Sequence, residues 1–179
     1  MRQIDAYFNR LEKERILFYE DMGISPNEAW RQPWPGKWSV GETVYHLYLL
    51  ARLLRKTSAV YIPIAMPMAY IRRKKPYVST IHDIYKTYKK EKGKSMPAPS
   101  ALVPPAGLKD KYNFTEVQNL LDVETGRLKR QLANISDDVA GHIRFPDPVA
   151  NFPNVIQSVQ LLGIHEKHHF DIVKAYEYS

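Results

Sequence analysis

Hydrophobic positions recur at helical spacing in four separate stretches of the chain. Ile4, Phe8, Leu11, Phe18 and Met22, with Arg and Glu between them, predict a helix over 3–22. GISPNEAWRQPWPGKW then interrupts the pattern with glycine and proline. A second helix is predicted to begin after Ser39, where Ser39 and Glu42 have the spacing of a capping box. Its apolar stripe is Val40, Val44, Leu47, Ala51 and Leu54, and its expected end is about Tyr61. A third helix is expected from Thr115, with Gln118 completing a second box, to about Ile135. A fourth is expected from about Asn154 to Tyr176.

The stretches between are of a different character. Pro63 to Asn113 reads as irregular and rich in Pro and Lys, with one short charged helix near 80–91. SMPAPSALVPPAG within it cannot form a regular element, and a connection this long usually carries a function or packs as a lid. SDDVAGHIRFPDPVANFPN reads as a second connection. No segment alternates as a strand would, and no repeat is visible. Four long amphipathic helices predict an all-α, four-helix bundle spanning 1–179 as a single domain. The long helix 2–helix 3 crossover would let those two helices run parallel.

Composition narrows the chemistry. With 179 residues, 44% hydrophobic and 25% charged, the chain has the profile of a globular domain with a sizeable core. No run approaches the roughly 20 apolar residues of a membrane span, so no membrane partner is expected. MRQIDAYFNRLEKER lacks the apolar core of a secretory signal, and there is no cysteine. Both fit a cytoplasmic protein. The missing cysteine also rules out disulfides, cysteine-bound zinc and a cysteine nucleophile. Any metal must therefore be held by His and carboxylates.

The net charge of +7 is concentrated. Between Arg72 and Lys94 there are nine Lys/Arg against two acids, which leaves the remainder of the chain neutral. Arg72, Arg73, Lys74 and Lys75 head this segment and are candidates for steering an anionic cosubstrate, although most Lys-rich loops are simply solvated. No base-stacking aromatic motif accompanies it, so nucleic acid is not an expected partner. Trp30, Trp34 and Trp38 cannot share one helical face across Pro33 and Pro35, and Trp38 is read as packing in the core.

GIHEKHHFDI, residues 163–172, holds three of the six histidines. The inward stripe of the fourth helix runs Ser158, Leu162, His165, His169, Ile172, Tyr176, in steps of three or four. His165 and His169 are therefore stacked one turn apart and can converge on one ion through bonds near 2.0–2.1 Å. His46, at the edge of the second helix's stripe with Leu50 and Leu53, is the third candidate ligand, and the three ring nitrogens are expected within about 4 Å of one another. His168 lies one step off the stripe and is expected to touch the ligands from outside. His82 and His142 are expected in solvent. His165, Glu166 and His169 also match the HExxH string of zinc proteases, with Glu as general base. The extended form of that motif needs Gly and His where this chain has Ile172 and Ala175. Too few residues follow His169 to supply a later ligand. Glu166 is accordingly read as a solvated helix residue.

KWSVGETVYHLYLL (37–50) and GIHEKHHFDIV (163–173) together resemble the DinB/YfiT-like superfamily of metal-binding four-helix bundles. The resemblance rests on Trp38, Ser39, Glu42, His46, His165 and His169 in order and spacing, and APSALVPP is similar to a loop of one branch. It implies an up-down-down-up, DinB-like bundle with a three-histidine site for a divalent metal ion, often nickel or zinc, in a solvent-open cleft. It also implies, for some relatives, transferase or isomerase chemistry with a low-molecular-weight thiol. The function expected is a metal-dependent transferase that activates a thiol cosubstrate toward an electrophile, with a homodimer as the assembly. A hydrolase using metal-activated water and a stress-related binding protein without turnover are the alternatives.

Overall fold

The computed structural model describes residues 1–93, 97–148 and 150–177, and of Lys89, Glu91 and Glu177 the backbone only. Lys94, the last residue of the basic segment, and Ser95 and Met96 of the SMPAPSALVPPAG stretch lie outside the described residues. The helices are α1 (Gln3–Met22), α2 (Val40–Arg72), α3 (Ile84–Lys92), α4 (Phe114–Gln131), α5 (Asp137–Ala140) and α6 (Val155–Glu177). Among the described residues there is no strand, only an isolated antiparallel bridge between Arg144 and Asn154.

Most of the four long helices begin where a side chain can satisfy their orphan amides. At α2, Ser39 and Glu42 form the expected capping box. At α4 the box is Asn113 with Glu116, two residues earlier than Thr115 and Gln118, because the Asn113 side chain accepts from the Glu116 amide at 2.9 Å. Asn154 and Gln157 do the same for α6, each side-chain oxygen accepting from the other's amide at 3.0 and 2.9 Å. α1 is docked differently. Asp137 accepts from the Gln3 amide, and the Arg2 guanidinium donates to the carbonyls of Leu132, Ala133 and Ile135 just beyond α4. Gly23 ends α1 in the left-handed region at φ 52°, which glycine adopts without penalty.

The second helix corrects the sequence reading most. α2 does not stop near Tyr61 but runs through Pro63 and Pro67 to Arg72. A proline inside a helix frees the carbonyl four residues before it. Here Ala59, Pro63 and Pro67 are all exposed, so the freed carbonyls of residues 59 and 63 can bond to water. Ser58, Ile62 and Ala69 meanwhile continue the buried stripe. The opposite face of this extension is apolar and uncovered: Val60 is 68% exposed, Ile64 72% and Ile71 74%.

α2 packs chiefly on α4, α1 on α6, and α2 more lightly on α6. Phe8 and Leu11 of α1, Val44 and Leu47 of α2, Leu121 of α4 and Ile156 of α6 are core residues with at most 2% exposure. Phe18 and Phe170 stack with ring centroids 3.9 Å apart and close the α1–α6 seam. Trp30 lies flat on α2 at Gly41, where a Cβ would come within 2.7 Å of its ring. Trp34, 46% exposed, meets Tyr176 edge-on at 5.0 Å.

Candidate metal centre

α2 and α6 bring His46, His165 and His169 together, each offering a ring nitrogen within 4.8 Å of the others. That is looser than the expected 4 Å overall, but His46 Nε2 and His165 Nε2 are only 2.9 Å apart. His46 is 1% and His165 6% exposed, while His169 is half-buried. One helical turn between 165 and 169 and the burial of the α2 stripe at Leu47 and Ala51 produce this convergence.

The hydrogen bonds around the rings define where the protons sit. The Leu102 carbonyl can only accept, so the His46 Nδ1–H donates to it at 2.7 Å and His46 Nε2 carries the lone pair. His165 Nε2–H then donates to His46 Nε2, and His165 Nδ1 accepts from the Tyr85 hydroxyl. One backbone carbonyl therefore orders a relay through two imidazoles to a tyrosine. Were His165 to hold a cation through Nε2, it would take the other tautomer, with Nδ1–H donating to Tyr85.

Burial pushes all three histidines below their ordinary range. For His46 the desolvation outweighs the Leu102 hydrogen bond. For His165 burial is joined by its histidine neighbours, and the pKa falls well below normal. His169 is lowered to about 3 by burial, with His46 and His168 adding to it. The rings are thus neutral at pH 7, the form that ligates a metal. Tyr85 is held above the usual phenol range by burial.

Two aromatic rings frame the cluster. Trp38 lies 4.8 Å from His46 and 6.3 Å from His169 between ring centroids, so it forms the site's wall rather than only packing in the core. Tyr85 of α3 stacks on His168 at 4.6 Å with an interplanar angle of 11°. His168 thus touches the group that bonds His165, and its ring centroid is 5.4 Å from that of His169. A cavity of about 670 Å³ opens over the histidines, walled by residues of α2, α3 and α6 and by the 97–102 and 145–153 segments.

Two side chains, Glu166 and His142, differ from what the sequence suggested. Glu166 is not solvated: it is 2% exposed and takes two hydrogen bonds from Arg15, at 2.6 and 3.1 Å. Arg15 also donates to Asp122 at 2.5 Å and Thr125 at 3.1 Å, so Glu166 faces α1 and α4, away from the histidines. Burial raises the Glu166 carboxyl against the pull of Arg15. A carboxylate so engaged cannot serve as the base of an HExxH protease. His82 is exposed, as expected, but His142 is half-buried and its Nε2–H donates to the Lys75 carbonyl at 3.1 Å. Arg72 is the last residue of α2, Arg73, Lys74 and Lys75 follow it, and the cavity wall described above includes none of the four, which leaves their expected long-range steering role untouched. Tyr85 and the Leu102 carbonyl carry no signature in the sequence. The one clue was that both fall in the long proline-rich connection.

A family model, the DinB superfamily, matches residues 18–173. Comparisons with curated proteins and with solved structures find no match. The matched span carries all three clustered histidines and the helices that hold them, and the chain belongs to the DinB superfamily.

Proposed function

We propose that His46, His165 and His169 hold a divalent ion, nickel or zinc, and that the protein is a metal-dependent transferase acting on a thiol cosubstrate. The supporting observation is the convergence of three histidines from two helices, each offering a ring nitrogen within 4.8 Å of the others, with His46 and His165 buried. The donor set fits: three uncharged imidazoles with no carboxylate among them leave coordination positions free, the pattern of a catalytic rather than a structural site. His46 of α2 and His165 and His169 of α6 would each supply one ring nitrogen to the ion.

When bound, such an ion supplies Lewis acidity that lowers the pKa of a coordinated thiol or water. The chain's residues do the rest. The Leu102 carbonyl and Tyr85 hold the two imidazoles in register, and Trp38 shields the cluster on one side. With no cysteine in the chain, the sulfur nucleophile comes from a soluble thiol. A sulfur–carbon bond forms as the thiol loses its proton to solvent, and the electrophile's leaving group departs with the bonding pair. Among the described residues the cavity wall carries one carboxylate, Asp147, which is exposed and already accepts from the Ala150 amide, so the wall offers no buried carboxylate base for hydrolysis.

The proposal treats residues 1–179 as one up-down-down-up four-helix bundle in the cytoplasm, with α1, α2, α4 and α6 as its helices and the 73–113 segment as the crossover. Its partner across the uncovered α2 face would be a second copy of the chain, since an apolar patch of this kind marks an interface. Arg72, Arg73, Lys74 and Lys75 would act on an anionic thiol only through their long-range field. The test is product formation from a thiol and an aryl or alkyl electrophile by metal-loaded protein. Activity that needs both thiol and metal is expected. Turnover of an ester without thiol would favour the hydrolase, and no turnover of either would favour the binding protein.

A further inference from the structure

The cavity over the histidines is built for something other than the reacting atoms alone. Its 670 Å³ is far more than an ion and a sulfur need, and lies within the 300–1,000 Å³ of sites that enclose a whole small molecule. On α6 the wall runs from Ser158 to Tyr176, and on α2 from Thr43 to Thr57, so the space extends well beyond His165 and His169.

The chemistry of that wall is one-sided. Among the described residues it carries only two formally charged side chains, Lys37 and Asp147, both exposed. Toward residue 158 it is made by Leu50, Leu54, Leu161, Leu162 and Phe145. Five prolines, at 97, 99, 146, 148 and 153, contribute to it, and proline has no N–H to offer a carboxylate or phosphate. Three of the wall's polar groups are engaged within the protein. Ser158 Oγ donates to the Asn154 carbonyl at 2.9 Å, Tyr85 bonds His165, and Asp147 accepts from the Ala150 amide at 3.3 Å. A sugar, nucleotide or peptide bound there would leave most of its polar groups unpaired, and each one buried without a partner is costly. A hydrocarbon would instead be favoured by every apolar surface it covers.

We propose that the cavity binds a lipophilic, uncharged small molecule, an alkyl or aryl compound with a single polar head at the histidine end. This rests on the transferase reading only in making that molecule the electrophilic substrate. The affinity of the apolar wall does not depend on a metal.

The test is a binding series of 1-alkanols from butanol to decanol, measured by calorimetry on the whole chain, metal-loaded and metal-stripped. The α,ω-diols of equal length are the comparison. Affinity should rise about three- to four-fold per methylene until the cavity is filled, the fold-change that about 0.8 kcal/mol per buried CH₂ represents. The slope should be the same with and without metal. Each diol should bind at least ten-fold more weakly than the matching alkanol. Leu53→Asp, at a rim position 47% exposed and therefore tolerant of charge, should flatten the slope. A slope of zero in the wild type, or diols binding as well as alkanols, would overturn the inference. Loss of thiol chemistry with the alkanol slope intact would count against the transferase reading alone.

Discussion

Two of the three histidines owe their state to what touches their far side. His165 depends on Tyr85 and His46 on a backbone carbonyl, so the first prediction concerns Tyr85. Tyr85→Phe removes the hydroxyl that would accept from His165 Nδ1–H when Nε2 binds an ion, and should weaken metal affinity about 10–100-fold, as loss of an outer partner does. His168→Ala, which removes only the ring stacked on Tyr85, should cost less, and His165→Ala should abolish tight binding. Competition against a chelator ranks the three, and unchanged affinity in Tyr85→Phe would show that Tyr85 sets nothing. The second prediction is a pH dependence. A buried histidine whose pKa lies below its unfolded value near 6.5 leaves the unfolded chain with more bound protons in acid. Stability of the metal-free protein should therefore be full above about pH 7 and fall below about 6.5, toward the value of about 3 for His169, by up to about 1.4 kcal/mol per pH unit for each histidine. Urea midpoints between pH 7.5 and 5 read this directly, above the range where carboxylates dominate, and a flat profile would contradict the buried neutral cluster. At this scale the histidines were legible because helical spacing alone puts 165 and 169 on one face. Tyr85 was not, because nothing local distinguishes one tyrosine in a short charged helix from its neighbours Tyr88 and Tyr77.

Among the elements, the helices that hold the site are tied by ions as well as by apolar packing. Arg15 links α1 to Glu166 of α6 and Asp122 of α4, and Arg55 links α2 to the buried Glu124 of α4. Such pairs add little net stability, but breaking one leaves an uncompensated buried charge. Arg15→Met should destabilise by about 3–5 kcal/mol, and Arg15→Met with Glu166→Gln should recover much of that loss. Chemical denaturation measures both, and a double variant no better than the single would show that Glu166 is not the stranded partner. The periodicity of α1 and α6 was plain in the sequence, but a pairing across 151 residues is not encoded in any local pattern. That is why Glu166, one step from a histidine, read as solvated. The length of α2 was misjudged for another reason. Pro63 and Pro67 weigh against a helix when counted as residues, whereas their cost depends on whether the freed carbonyls reach water, and here they lie on the exposed face.

For the whole molecule, the uncovered face of α2 and the basic run that follows it make separate predictions. If a second copy covers Val60, Ile64 and Ile71, light scattering should give twice the chain mass, and Ile64→Asp with Ile71→Asp should give a folded monomer. A wild-type monomer at micromolar concentration would remove the dimer. Neutralising Arg72, Arg73, Lys74 and Lys75 together should raise KM for an anionic thiol at low salt and leave it unchanged at high salt, since exposed charges are screened over about 8 Å at physiological ionic strength. The helical class and the metal-ligand candidates could be read from the chain because both follow from spacing. The cavity could not, because it is enclosed by connections whose path spacing does not determine. The central claim is that three histidines from two helices make one metal site. Titration of the metal-stripped chain with nickel and with zinc tests it most directly. One ion per chain is predicted, with binding lost in His46→Ala, His165→Ala and His169→Ala while circular dichroism shows the helices retained. A chain that binds no ion, or binds one as tightly without His46, would contradict it.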